Sequence, residues 1–172
     1  MLLRIGNKLI DLRKIHRAID QILDLRNQGL SQQEVANHLG VDRTFISRLE
    51  NIGEIRKGKS VALIGFPIAN CEELRQVAHQ EGIDECLLLT ERQRWHFVEE
   101  KSGVELFDKI MQTIAKMRSF DTVILLGSNM RIKLIESMLD KEVIGVEIGE
   151  SPIAEDKYVE PELLREIMRN IR

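Results

Sequence analysis

The side chains best suited to chemistry in this chain are polar groups in two neighbouring segments: Gln32, Gln33, Arg43, Thr44, Ser47 and Arg48. Arginine forks match guanine edges and phosphate oxygens, while amides and hydroxyls bond bases or phosphates. Residues three and four apart lie on the same side of a helix, so the last four would share one face. The spacing predicts a surface that binds double-stranded DNA.

Two short helices must hold these side chains. Ser31 followed three residues later by Glu34 is a capping box, so a helix begins here. Gly40 then permits the positive φ that a sharp turn after this helix requires. The apolar side of the helix is formed by Val35, Ala36 and Leu39.

The second helix begins at Asp42 or Arg43. Its apolar residues Phe45, Ile46 and Leu49 are predicted to pack back on the first helix. The two arginines and the two hydroxyl residues then remain on the solvent side. Two helices joined by a tight turn containing glycine are typical of a helix-turn-helix.

Seven residues carry a resemblance to a known family: Val35, Ala36, Leu39, Gly40, Val41, Ile46 and Leu49. At these positions the segment 30–50 resembles the helix-turn-helix of bacterial transcription regulators of the Cro/repressor type, here joined to a small α/β domain. The resemblance implies DNA binding through the second helix. Cro/repressor domains continue with two further helices, whereas the apolar run at Val61 predicts a strand, so the three-helix variant of the partition-protein family also fits. A bundle that never meets nucleic acid is the alternative interpretation.

Length and composition predict an ordinary globular protein. The chain has 172 residues, of which 43% are hydrophobic, enough for one or two domains. No apolar run reaches the roughly 20 residues of a membrane span, and the N-terminus does not resemble a signal peptide, so we expect a cytoplasmic protein with no membrane partner. Cys71 and Cys86 stand apart from each other and from histidine pairs, which argues against a disulfide framework or a zinc site. The sequence identifies no cofactor and no metal site.

Charge is divided unevenly along the chain. Residues 1–59 hold 11 Lys and Arg against 7 Asp and Glu, whereas the whole chain has a net charge of −3. The basic part therefore contains the candidate DNA-binding segment, as expected where phosphates are neutralised. The domain boundaries predicted from this change and from the glycines and cations of residues 51–60 are 1–59 and 60–172. Arg56, Lys57 and Lys59 either contact phosphate or belong to a polar linker.

The remaining N-terminal pattern predicts a small hairpin over residues 2–10 and a helix over 11–28 that Gly29 ends. Arg13, Lys14 and Arg17 on this helix either approach phosphates or are simply solvated.

Apolar runs alternate with helical patterns in the second half of the chain. Such alternation predicts a doubly wound, mainly parallel, four-stranded α/β domain of Rossmann-like type. The predicted strands span residues 61–66, 86–89, 122–126 and 143–148, and the predicted helices span 71–80, 91–101, 104–118, 130–139 and 161–171.

Ligands of such sheets bind beyond the carboxyl ends of the strands, where three loops that open with glycine are expected to meet. Arg131 lies one turn into a predicted helix whose first amides favour an anion, so a small anionic ligand is a candidate partner. Glycine and Ser/Asn at such turns are also ordinary loop chemistry, and no GxGxxG or Walker loop is present. The candidate ligand-binding residues are Gly65, Pro67, Asn70, Gly127, Ser128, Asn129, Arg131 and Gly149.

The leading hypothesis is a sequence-specific transcriptional regulator that binds DNA as a homodimer. Its α/β domain would bind an effector or only dimerise, and the helix over 104–118 or the first helix would form the dimer contact. The alternative is an enzyme acting on a nucleotide or phosphorylated metabolite, with an accessory DNA-binding head. No catalytic constellation such as GxSxG or HExxH supports an enzyme. The acidic residues Glu147, Glu150, Glu155 and Asp156 either hold a divalent cation or form an exposed acidic loop.

Overall fold

The structure is a computed structural model that describes residues 1–54 and 60–171. The chain divides into two compact units, Met1–Glu54 and Ile55–Arg172. The described residues form a mixed α/β protein with eight helices and a four-stranded parallel sheet. None of the helices in these ranges has the length and apolar content needed to cross a membrane. Arg56, Lys57 and Lys59, proposed as phosphate contacts, lie outside the described residues.

The first unit opens with a hairpin of β1 (Leu2–Ile5) and β2 (Lys8–Asp11), which confirms the predicted hairpin. Gly6 has a φ of 57° in the connecting turn, a conformation that glycine adopts without cost. The next element, α1 (Leu12–Asn27), begins where the Asp11 carboxylate accepts the amide of Arg13 at 3.0 Å. Gly29, with a φ of 95°, turns the chain after this helix.

Two further helices, α2 (Gln32–Leu39) and α3 (Arg43–Gly53), complete the first unit. The three helices share one small apolar core because each contributes a fully enclosed side chain. Its buried members are Ile22, Val35, Ala36 and Ile46. The α3 helix extends to Gly53, so residues that the sequence pattern assigned to a linker from 51 onward belong to its last turn.

The second unit alternates strands and helices, as the sequence predicts. Its elements are β3 (Val61–Gly65), α4 (Cys71–Gln80), β4 (Glu85–Leu88), α5 (Glu91–Glu99), α6 (Gly103–Met117), β5 (Thr122–Ser128), α7 (Asn129–Met138), β6 (Glu142–Gly149) and α8 (Pro161–Ile171).

All four strands are parallel and lie in the order β4-β3-β5-β6. Successive side chains of a strand point to opposite faces, so β3 and β5 supply two apolar clusters. Leu63 and Ile124 belong to the cluster that also contains Leu74 of α4 and Met168 of α8. The other cluster contains Met117 of α6 and the partly buried Ile132 of α7. Helices therefore cover both faces of the sheet.

Gly145 of β6 lets α7 pack closely on the sheet. A Cβ atom added there would lie 2.4 Å from Cγ2 of Ile132. Gly65 at the end of β3 is similar, because its Cβ would lie 2.7 Å from Cδ2 of Leu88. These two glycines provide room for neighbouring side chains in the core.

Candidate functional site

The connection between α2 and α3 is three residues long and is fixed by hydrogen bonds at both ends. Gly40 takes the left-handed conformation, with φ 65° and ψ 33°. The Val41 amide then donates to the carbonyl of Ala36 at 3.1 Å. The Asp42 carboxylate accepts the Thr44 amide at 2.7 Å and begins α3. The predicted turn and start of the second helix are confirmed.

The capping box at the start of α2 is also present. The Glu34 amide donates to Oγ of Ser31 at 3.2 Å, and the Ser31 amide donates to the Glu34 carboxylate at 2.7 Å. These two bonds lower the pKa of Glu34, because they favour its ionised form.

Glu50 of α3 joins all three helices of the first unit. Its carboxylate accepts the Arg26 guanidinium of α1 at 2.5 Å and the Gln32 amide of α2 at 2.6 Å. The Arg26 bond, followed by the Gln32 bond, lowers the pKa of Glu50. The side-chain amide of Gln32, a candidate DNA-binding group, is thus bound within the fold.

The outward side of α3 keeps its candidate residues accessible. Arg43, Thr44 and Arg48 are exposed, and Ser47 is half-buried. Neither arginine forms an ion pair with another described residue. The remaining candidate, Gln33, is exposed and donates to Asn37 within α2 at 3.0 Å. This surface therefore presents two guanidinium groups that form no ion pair with a described residue, although the charge of Arg48 acts on the nearby Asp42 carboxylate.

One residue of α3 does not lie where the sequence pattern placed it. Phe45 was expected in the core with Ile46 and Leu49, but 48% of it is exposed. At 100° per residue, Ile46 is turned fully inward and Phe45 falls at the edge of the apolar side. The aromatic ring is therefore available on the outer surface beside Arg48.

Asn51 is a residue that sequence reasoning missed. It is exposed and lies seven residues after Thr44, close to two helical turns, so the two share a side of α3. The sequence did not predict how far the helix extends, because the two glycines and the cations after Glu50 are typical of a linker. Continuation of the helix to Gly53 adds an amide to the exposed face.

The three glycine loops of the second unit do meet at the carboxyl edge of the sheet. The Arg131 guanidinium donates to the carbonyl of Phe66 at 3.4 Å, which joins the loops after β3 and β5. The amide of Ser151 donates to Oδ1 of Asn129 at 3.2 Å, which joins the loops after β5 and β6.

Most polar groups of this edge are bonded within the fold. The Asn70 side chain donates to the carbonyl of Val159 at 2.9 Å and accepts its amide at 3.1 Å. Ser128 is fully buried and its Oγ accepts the Arg131 amide at 3.4 Å. Pro67 is buried, and its carbonyl accepts the Lys157 amide at 3.1 Å. The C-terminal segment 153–159 thus occupies part of the predicted ligand-binding edge.

The glycines of the predicted ligand loops have different roles. Gly149 has a φ of 156°, which side chains other than glycine rarely adopt. Gly127 lies within β5, and a Cβ added there would meet nothing closer than 3.7 Å. Neither the conformation nor the packing of the fold therefore requires glycine at position 127.

The cysteines are protonated thiols, and the acidic groups form no metal-binding cluster in the described parts of the chain. Burial raises the pKa of Cys86 to about 11 and also raises the pKa of Cys71, so both thiols stay protonated at neutral pH. Within residues 1–54 and 60–171, no three His, Cys, Asp or Glu side chains are placed to hold a metal ion.

No protein-family model matches the chain, and no curated protein or solved structure matches it either. Function is therefore inferred from the geometry of the two surfaces just described.

Proposed function

We propose that the protein is a sequence-specific, DNA-binding transcriptional regulator. In this proposal α2, the turn at Gly40 and α3 form a helix-turn-helix, with α3 entering the major groove. The observation that carries the proposal is the outward face of α3, where Arg43 and Arg48 are exposed and form no ion pair with a described residue. The three-residue turn and the buried contact of Ala36 with the core support the same assignment.

The side chains of the first unit divide into two roles in this proposal. Arg43, Thr44 and Arg48 contact base edges or phosphates, and Asn51 extends the same surface. Gln32 and its partner Glu50 instead hold the helices in position, so Gln32 acts on DNA only indirectly. Gln33 is exposed near the start of α2 and would contact a phosphate.

We further propose that the protein acts as a homodimer, because one short helix reads few base pairs. The α6 helix supplies the contact surface in this proposal. It packs on the sheet through residues such as Met117, but a second row of apolar side chains along it remains exposed. This row consists of Val104, Phe107, Ile110 and Met111.

We assign the second unit to the doubly wound, Rossmann-like class, with dimerisation and effector binding as its roles. Its strand order and the helices on both faces of the sheet support this class. In such sheets the carboxyl edge is the ordinary place for a ligand.

The proposal is tested by selecting fragments of the source genome with the purified full-length protein and titrating enriched sites by fluorescence anisotropy. The variant Arg43→Ala/Arg48→Ala is compared with Lys109→Ala/Lys133→Ala, which removes the same charge from exposed positions of the second unit. Loss of one base-reading arginine corresponds to about 1–3 kcal/mol, or roughly 5- to 150-fold in affinity.

Enrichment of a pseudo-palindromic site that the α3 variant binds at least about 10-fold more weakly, with little change for the control, supports a dimeric regulator. Absence of any enriched sequence, or equal losses for both variants across a salt series, contradicts sequence-specific recognition by α3.

A further inference from the structure

We propose that the carboxyl edge of the sheet in the second unit binds a nucleoside phosphate. Arg131 would hold the phosphate, and the planar base would lie against Trp95. This inference rests on the effector-binding role proposed above and names the chemical class of the effector.

Arg131 is held in place by Phe66, and the charge of Glu91 acts on it without a direct ion pair. Its guanidinium lies 4.9 Å from the centroid of the Phe66 ring and donates to the Phe66 carbonyl at 3.4 Å. It is half-buried and forms no ion pair with a described residue. A guanidinium with a fixed plane and unused donors is suited to a phosphate, which it can bind through two parallel bonds.

A second guanidinium, that of Arg94, lies near enough to act on Arg131. Burial, followed by the nearby charge of Arg94, lowers the pKa of Arg131, and Glu91 opposes this effect. Glu91 already accepts the Arg94 guanidinium at 2.5 Å. Two guanidinium groups therefore share one carboxylate in a partly buried place, and an anion would relieve their repulsion.

A cavity lies beside one of these two charges, that of Arg94. It has a volume of about 250 Å³ and is lined by Arg94, Trp95 and Val98. The Trp95 indole donates to the Glu91 carboxylate at 2.8 Å, and 52% of the residue is exposed. Its ring is thus oriented by a hydrogen bond, and the Arg94 guanidinium lies 5.5 Å from its centroid, while about half of the residue remains exposed for a base. Stacking of a base on an aromatic side chain contributes about 1–3 kcal/mol.

The α5 helix, which carries Arg94 and Trp95, contains no buried side chain of its own. Its first turn is joined to the C-terminal segment by a bond from the Glu91 amide to Oδ1 of Asp156 at 2.6 Å. A nucleotide that bridges Trp95 and Arg131 would add a second attachment, between α5 and α7. Because α6 follows α5 in the chain, this attachment would also restrict the position of α6, which carries the proposed dimer contact.

Trp95 is the only tryptophan of the chain, so its fluorescence reports this site alone. The full-length protein is titrated with adenosine monophosphate, guanosine monophosphate, adenosine and inorganic phosphate, and each titration is repeated by calorimetry. The variants are Arg131→Gln, Arg131→Lys and the control Lys133→Gln, which makes the same charge change at an exposed position of α7. Circular dichroism checks that each variant is folded.

The expected result is saturable quenching of Trp95 by at least one nucleoside monophosphate, with adenosine and inorganic phosphate each at least about 10-fold weaker. Arg131→Gln should weaken the nucleotide at least about 10-fold, Arg131→Lys should weaken it less, and Lys133→Gln should leave it unchanged. Binding that is as tight for inorganic phosphate as for the nucleotides overturns the role of Trp95. Binding unchanged in Arg131→Gln overturns the role of Arg131, and no response to either nucleotide overturns the proposal.

The same preparation is tested for DNA binding, which separates the two proposals. DNA binding without nucleotide binding contradicts this inference alone. Nucleotide binding without sequence-specific DNA binding contradicts the regulatory role and leaves the nucleotide site in place.

Discussion

The outward face of α3 and the carboxyl edge of the parallel sheet use polar residues in opposite ways. On α3, Arg43 and Arg48 are exposed and form no ion pair within the described chain. At the sheet edge, Asn70 and Ser128 direct their polar atoms to the backbone or helix amides of the fold. Arg131 is the exception, because its guanidinium has donors left after its contact with Phe66.

This difference follows from where each surface lies. A helix satisfies its own backbone, so the side chains on its outer face are not needed for internal hydrogen bonds. Loops at a sheet edge expose amides and carbonyls that must find partners, and nearby Asn and Ser side chains supply them. Polar residues in such loops therefore indicate a ligand site less strongly than polar residues on an exposed helix face.

The largest effect is expected from Asn70→Ala. Removal of the amide leaves the buried N–H and carbonyl of Val159 without partners, which should lower the free energy of unfolding by about 3 kcal/mol. Urea unfolding of the second unit, followed by Trp95 fluorescence, measures the loss. Asn70→Asp keeps the oxygen that accepts the Val159 amide but sets its second oxygen against the Glu73 carboxylate and the Val159 carbonyl, so it should also lose stability. A change below about 0.5 kcal/mol would show that Asn70 is not structural and would remove the contrast between the two surfaces.

A smaller effect is expected from Glu50→Ala, which removes the acceptor shared by Arg26 and Gln32. Because solvent weakens charge-assisted bonds between partly exposed groups, the free energy of unfolding should fall by only about 1–2 kcal/mol. Faster amide hydrogen exchange in α1, α2 and α3 should accompany the loss. Unchanged exchange would contradict the role of Glu50.

The same carboxylate predicts a pH dependence. Its pKa is lowered in the folded protein, so its contribution is complete above the unfolded pKa of about 4.3 and disappears as the pH falls through the folded pKa. Protection from amide exchange in the wild-type first unit, relative to the intrinsic rate at each pH, should therefore fall in acid, and Glu50→Ala should reduce that fall. Identical acid profiles for both proteins would argue against the lowered pKa.

A stabilising effect is expected from Thr122→Val at the start of β5. Thr122 is fully buried and its hydroxyl has no hydrogen-bond partner among the described residues. An isosteric methyl group avoids the cost of desolvating that hydroxyl, so the free energy of unfolding should rise by about 1 kcal/mol. Thermal unfolding of the two proteins in the same buffer measures the difference. A lower melting temperature would indicate a partner that the geometry does not show.

The smallest effect on stability is expected from Arg43→Ala and Arg48→Ala. Each removes an exposed side chain without a described ion pair, so the free energy of unfolding should change by no more than about 0.5 kcal/mol. Equilibrium unfolding of both variants measures this change, which is then compared with the loss of stability in Asn70→Ala. Destabilisation by 2 kcal/mol or more would make the α3 face structural.

Much of the fold could be predicted from local sequence signals. The capping box at Ser31 and the glycine at position 40 mark the ends of α2, because both act within one helical turn. The apolar runs that became β3 and β5 are buried on both faces, so their hydrophobicity alone predicts parallel strands. Phe45 was misplaced because it and Ile46 lie only about 100° apart around the helix and both fall near its apolar side, while packing decides which of the two is enclosed.

The sequence by itself determined which segments are helices and strands, and which side of α3 carries the arginines. Only the tertiary structure decided how the polar groups are used. The bond between Asn70 and Val159 joins residues 89 positions apart, and the contact of Arg131 with Phe66 joins residues 65 apart. Periodicity, caps and turns depend on residues that are close in the sequence, so they do not predict contacts between residues so far apart. Whether a polar side chain holds the fold or remains available for a ligand depends on what the folded chain brings beside it.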